Sequence, residues 1–93
     1  MKVIQSPQFE KMIKKLHINQ KKILDIQIRK IMDNPLVGDE KKGDLKGIFV
    51  YKFKMKDKQF LLAYRIKVNI LELITIGSHE NYYRDLKGYL KNR

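Results

Sequence analysis

Cysteine and tryptophan are absent from the 93 residues, proline and histidine occur twice each, and acidic side chains are few. Each scarcity excludes something. Without cysteine there is no disulfide, no thiolate zinc site and no thiol nucleophile, which fits a reducing compartment. No stretch approaches the roughly 18 consecutive apolar residues of a membrane span, and the opening Met1–Lys11 lacks the apolar core of a secretory signal. The expected location is the cytoplasm, with no membrane role. There is no glycine-rich phosphate loop, the serines lack a triad setting, and no carboxylates and histidines stand at metal-ligand spacing. No cofactor is expected.

Positive charge is what the chain has in excess: 21 Lys and Arg against 10 Asp and Glu, a formal net charge of +11. On a chain of one-domain size (1–93) this creates a potential that draws polyanions, nucleic acid above all. The lysines are spread along the chain rather than gathered on one amphipathic helix, which argues against a peripheral membrane protein. With 43% hydrophobic residues the chain can still bury a core.

The pattern predicts β-α-α-β-β-β-α. Met1 to Gln5 reads as a strand, and Ser6-Pro7 as an N-cap followed by proline at the first helical position. Phe9, Met12, Ile13 and Leu16 then form one apolar stripe. A second helix from about Asn19 to Asp33 buries Ile23, Leu24, Ile28, Ile31 and Met32 and stops at Asn34-Pro35, since proline disfavours helix in the residue before it. Leu36 to Asp44 reads as a surface loop.

From Leu45 the period becomes two. Phe49, Tyr51, Phe53 and Met55 share one side of a strand; Lys46, Ile48, Val50, Lys52, Lys54 and Lys56 share the other. After a turn at Asp57-Lys58, strands at Gln59–Lys67 and Ile70–Ile76 complete an antiparallel meander. Gly77-Ser78 should end the sheet and cap a helix from His79 to about Leu90. The expected architecture is α+β, a twisted antiparallel sheet with a helical hairpin on one face and a short C-terminal helix. The lysine face is expected to be open, because unpaired buried lysines are costly.

Four segments in order now resemble one family. Asn34-Pro35-Leu36-Val37-Gly38-Asp39 is similar to its loop after the helical hairpin, and Gly43–Lys52, with Leu45-Lys46-Gly47 and Tyr51-Lys52, to its "L-K-G-x-x-x-Y-R/K" strand opening. Leu62–Ile66 is similar to its following strand, and Ile76-Gly77-Ser78-His79 with Tyr83 to its closing "I-G-x-H-x-x-x-Y". On these motifs the chain resembles the RelE/ParE toxin superfamily, from opening strand to last helix. The resemblance implies a RelE-like microbial RNase fold, the toxin role in a type II toxin–antitoxin system, cleavage of mRNA in the ribosomal decoding site, and neutralisation by a small antitoxin. The superfamily also holds ParE-type poisons of DNA gyrase on the same fold, so fold alone does not choose the activity. One departure stands out: where the middle strand often carries arginine, Phe60–Tyr64 offers leucine at Leu61.

Metal-independent RNA cleavage needs a base for the ribose 2′-OH, a clamp for the phosphorane and an acid for the leaving 5′-oxygen. His79, with an ordinary pKa of about 6.5, suits acid or base duty; a plain helix-start histidine is the competing reading. Lys52 and Lys54 on one strand face, with Arg65 on the next strand, suit phosphate contact; an edge protected by lysine is the alternative. Tyr82 is the candidate for stacking on a base, completing a catalytic set of His79, Lys52, Lys54, Arg65 and Tyr82. Lys46, Lys56, Glu80, Tyr83 and Arg84 are expected to line the RNA, although Tyr83 shares the face of Leu86 and Leu90, and the helix dipole alone accounts for Glu80. His17 reads as a solvated turn residue.

The expected partners are the ribosome, mRNA and an acidic antitoxin that supplies an amphipathic helix or an added strand, with the free toxin a monomer. A gyrase-directed toxin and a basic binding module without catalysis remain the competing functions.

Overall fold

A computed structural model of the protein describes residues 1–78. The elements run β1 (Lys2–Gln5), α1 (Pro7–Ile13), α2 (Ile18–Asp33), β2 (Asp39–Glu40), a 3-10 turn (Gly43–Leu45), β3 (Phe49–Met55), β4 (Lys58–Lys67) and β5 (Ile70–Ser78). The expected C-terminal helix lies outside the described residues. Five strands form one sheet in the order β1-β5-β4-β3-β2. The meander β3-β4-β5 is antiparallel as the period-two pattern predicts, and β1 adds in parallel to β5.

Local chemistry sets the helix ends. The Ser6 hydroxyl accepts the Phe9 backbone N–H and donates to the Ile74 carbonyl, so one side chain caps α1 and pins it to β5. Pro7 occupies the first helical turn, where its missing N–H costs nothing. The Gln20 side chain accepts the His17 N–H at the start of α2, where His17 is exposed. Asn34 ends α2 ahead of Pro35.

Both helices lie on one face of the sheet. Phe9, Leu24 and Ile31 pack with Phe53, Met55, Leu62, Tyr64, Leu71, Leu73 and Ile76 into the main core, joined by Met12, Ile13, Leu16, Ile23, Ile28, Phe49 and Tyr51. Met32, expected in that core, is instead exposed at the last turn of α2. Tyr51 donates its hydroxyl to Gln27 on α2. Tyr64, fully buried, stacks on Phe49, donates to the Pro35 carbonyl and accepts the Gly38 N–H. That phenol ties the chain leaving α2 to the middle of the sheet. A Cβ on Gly38 would sit 2.8 Å from the Tyr64 oxygen, so the close approach requires glycine.

Four expectations are corrected. The segment 36–44 is not all loop: Asp39 and Glu40 pair with Val50 and Phe49. The third strand begins at Phe49 rather than near Leu45, because Leu45 closes a 3-10 turn and Lys46 ends it. The β3–β4 turn is Lys56-Asp57, one residue earlier than expected; both have positive φ (48° and 66°), the geometry a two-residue hairpin demands. Gly77 and Ser78 extend β5 rather than end it, since Leu61 and Phe60 of β4 offer them ladder partners.

Candidate nucleic-acid interface

The face of the sheet away from the helices is divided. In one half, Leu45, Ile48, Val50, Leu61, Ala63 and Ile74 form a second buried cluster. A register shift between Ala63 and Tyr64 leaves Ile74 as an extra residue on β5, a bulge. Leu45 and Ile48, from the loop before β3, fold over this half. The expectation of an open face is therefore corrected for this half. Ile48 and Val50 share the lysine alternation, but their apolar side chains are buried as a core while the lysines beyond them stay in water.

In the other half, Lys52 and Lys54 are exposed on consecutive outward positions of β3. Lys52 lies opposite Leu61 and Lys54 opposite Gln59. Leu61, at the strand position where the resemblance often implies arginine, is completely buried. It serves packing, and the two lysines rise from beside it.

Arg65 is on the same face but four residues further along β4, roughly 13 Å from the Lys52 register position. Its Nε and Nη2 donate to Glu72 Oε1 at 2.9 and 2.6 Å across the β4–β5 ladder. The pair is mostly covered, with side-chain exposures of 20% and 14%. The guanidinium is thus engaged by a carboxylate and set apart from the two lysines. Lys46 and Lys56 leave the lysine row altogether: Lys46 ends the 3-10 turn and Lys56 is in the hairpin turn, where positive φ takes it out of the pleat.

β5 ends at Ser78, which pairs with Phe60, which pairs with Phe53 between the two lysines. Two strand spacings put Ser78 about 10 Å from Phe53. His79 follows in sequence; His79, Glu80, Tyr82, Tyr83 and Arg84 all lie outside the described residues. No three His, Asp or Glu side chains gather into a metal-binding group among the described residues, and no helix there is long and apolar enough to cross a membrane.

Sequence reasoning located Lys52 and Lys54 through their alternation. It missed Tyr64, whose role depends on a loop 26 residues away, and it missed the loop lysines Lys41 and Lys42 that, with Glu40, Gly43 and Lys46, line a cavity of about 420 Å3. The paired glycines Gly43 and Gly47, both at positive φ, were the available sign of a tightly folded loop there.

A helical pair over one face of a five-stranded sheet is a fold this chain shares with solved RelE toxins. The intact Escherichia coli RelBE toxin–antitoxin complex superposes with a TM-score of 0.67 at 16% identity, covering 85% of this chain and 96% of that one. A free-state E. coli RelE carrying two arginine-to-alanine changes gives 0.72 at 14% identity, with coverages of 99% and 95%. A conserved hypothetical protein of Helicobacter pylori gives 0.55 at 22% identity, with 85% and 94%. At such identities the likeness is one of fold. No curated protein matches the sequence. The family itself is shown by residues 3–87, which match the model of the ParE-like toxins of type II bacterial toxin–antitoxin systems, and the chain belongs to that family.

Proposed function

We propose that the chain is a ribosome-dependent mRNA endonuclease that halts translation without a metal ion. The observation that carries this reading is the exposed pair Lys52 and Lys54, standing at the end of the sheet where β5 leads towards His79. Two ammonium groups at alternating positions suit one phosphodiester and the charge that gathers on it in the phosphorane. In the step, the ribose 2′-oxygen bonds to phosphorus as a base takes its proton, and the phosphorus–5′-oxygen bond breaks as an acid protonates the leaving oxygen. His79 serves one of these proton transfers, and Tyr82 stacks on a neighbouring base. Lys46, Lys56, Glu80, Tyr83 and Arg84 border the RNA path. Arg65, engaged by Glu72, keeps the sheet face in shape rather than clamping the scissile phosphate.

An acidic antitoxin covering the lysines is the matching means of neutralisation; membership of a type II toxin–antitoxin family supports an antitoxin partner. The cytoplasm is where the proposed ribosome and mRNA are met.

A second reading, a toxin that acts by protein contact, such as a gyrase poison, draws on Leu61: the middle-strand position that carries arginine in the ribonuclease pattern is a core residue here. Primer extension on mRNA after brief expression separates the two. Cuts within codons in the wild type, lost in His79→Ala and in Lys52→Ala/Lys54→Ala, support the endonuclease. Intact mRNA together with an induced DNA-damage response selects the gyrase poison.

A further inference from the structure

Resting on the reading above, we infer that the cavity of about 420 Å3 lined by Glu40, Lys41, Lys42, Gly43 and Lys46 is a second RNA subsite, taking a nucleotide that flanks the one held at Lys52 and Lys54. Its volume lies in the range of small-ligand sites. Three lysines against one glutamate give it a positive field suited to a phosphate, and the Glu40 carboxylate adds an acceptor for a ribose hydroxyl or a base amino group. Lys42 and Lys46 are exposed and form no ion pair with another described residue.

Placement connects the cavity to the lysine pair. The Lys41 N–H donates to the Ile48 carbonyl and Glu40 pairs with Phe49, so the cavity stands at the start of β3. Lys52 is three residues further along, roughly 10 Å. Leu45 and Ile48 pack on Val50, Leu61, Ala63 and Ile74, so this loop folds onto the sheet face that also carries Lys52 and Lys54. Both basic groups therefore border one surface, which a single RNA strand can follow. An acidic peptide would be drawn by the same charge, but its side-chain carboxylates would be repelled by Glu40.

The test uses uncleavable 2′-O-methyl RNA, so that binding is read apart from catalysis. Lys42→Gln/Lys46→Gln should weaken binding of an oligomer of roughly twelve nucleotides about fivefold or more, and lower the slope of log affinity against log salt by about 1.4, while leaving a trinucleotide almost unaffected. The control Lys22→Gln/Lys30→Gln removes the same charge from exposed positions on α2. Equal loss in both variants reduces the effect to net charge and overturns the subsite. Unchanged RNA binding with weakened binding of the acidic antitoxin overturns it in favour of a protein contact. If Lys52→Ala/Lys54→Ala leaves mRNA cleavage intact while the loop variant loses the longer oligomer, the subsite stands and the catalytic assignment of the lysine pair fails.

Discussion

The two faces of the sheet are built from the same strands but on different rules. Under the helices the strand positions are apolar along the whole length of β3, from Phe49 to Met55. On the opposite face β3 changes character halfway, from buried Val50 to exposed Lys52 and Lys54. The face under the helices, with Phe53 and Met55 buried and Phe49 and Tyr51 half-buried, serves packing. The divided one holds a packed platform and an exposed lysine rim on one strand, so the backbone that anchors Val50 also fixes where the lysines stand.

Substitutions sharpen this contrast, beginning with the largest expected change. Phe9→Ala, which empties a fully buried site between α1 and the sheet, should cost about 3–5 kcal/mol and lower the denaturation midpoint accordingly. Leu61→Ala should cost about 2–5 kcal/mol, showing that the second face has a true core. Leu61→Arg, which introduces the residue type that the resemblance often implies there, should destabilise at least as much, because the charge enters a site with no solvent access. An arginine variant as stable as wild type by denaturant titration would erase the distinction between the platform and the rim.

Tyr64→Phe comes next. It leaves the Gly38 N–H and the Pro35 carbonyl without their partner, at about 1–3 kcal/mol. Burial raises the Tyr64 pKa above the ordinary value of 10, against the opposing hydrogen bond from Gly38. The folded state therefore favours the protonated phenol. Its stabilisation is complete below pH 10 and is lost as pH rises through the folded value. Alkaline melts should show this loss in wild type but not in Tyr64→Phe. The smallest change in stability belongs to Lys52→Ala/Lys54→Ala, within about 0.5 kcal/mol, while growth inhibition disappears. A large drop in melting temperature for that variant would mean that the lysine half is structural after all.

Much of the architecture was legible because its signals are local. Ser6-Pro7 and Asn34-Pro35 mark helix ends through backbone chemistry that needs no tertiary partner, and alternation in β3 separates the two faces. What covers a face is not local. Ile48 and Val50 sit in the same alternation as the lysines, and only the loop carrying Leu45 decides that half the face is buried. The same limit applies to Gly77-Ser78, where a turn-like dipeptide is overruled by pairing with β4. It also applies to Arg65, whose engagement by Glu72 depends on the register of two strands. Of the candidate residues, the shared exposed strand face of Lys52 and Lys54 was legible and their separation from Arg65, Lys46 and Lys56 was not.

The parallel seam between β1 and β5 has a consequence for synthesis. Lys2 aligns with Ile70 and Gln5 with Leu73, and Ser6 is fastened to Ile74. β1 is made about 65 residues before β5 and thus waits for it before it has a strand neighbour, and such distant pairing slows folding. The helices precede β3, β4 and β5 and have no finished surface to rest on until those strands have emerged. The β1–β5 seam closes only once β5 has been made, and a truncated product lacking β5 would lack the seam that joins β1 to the sheet.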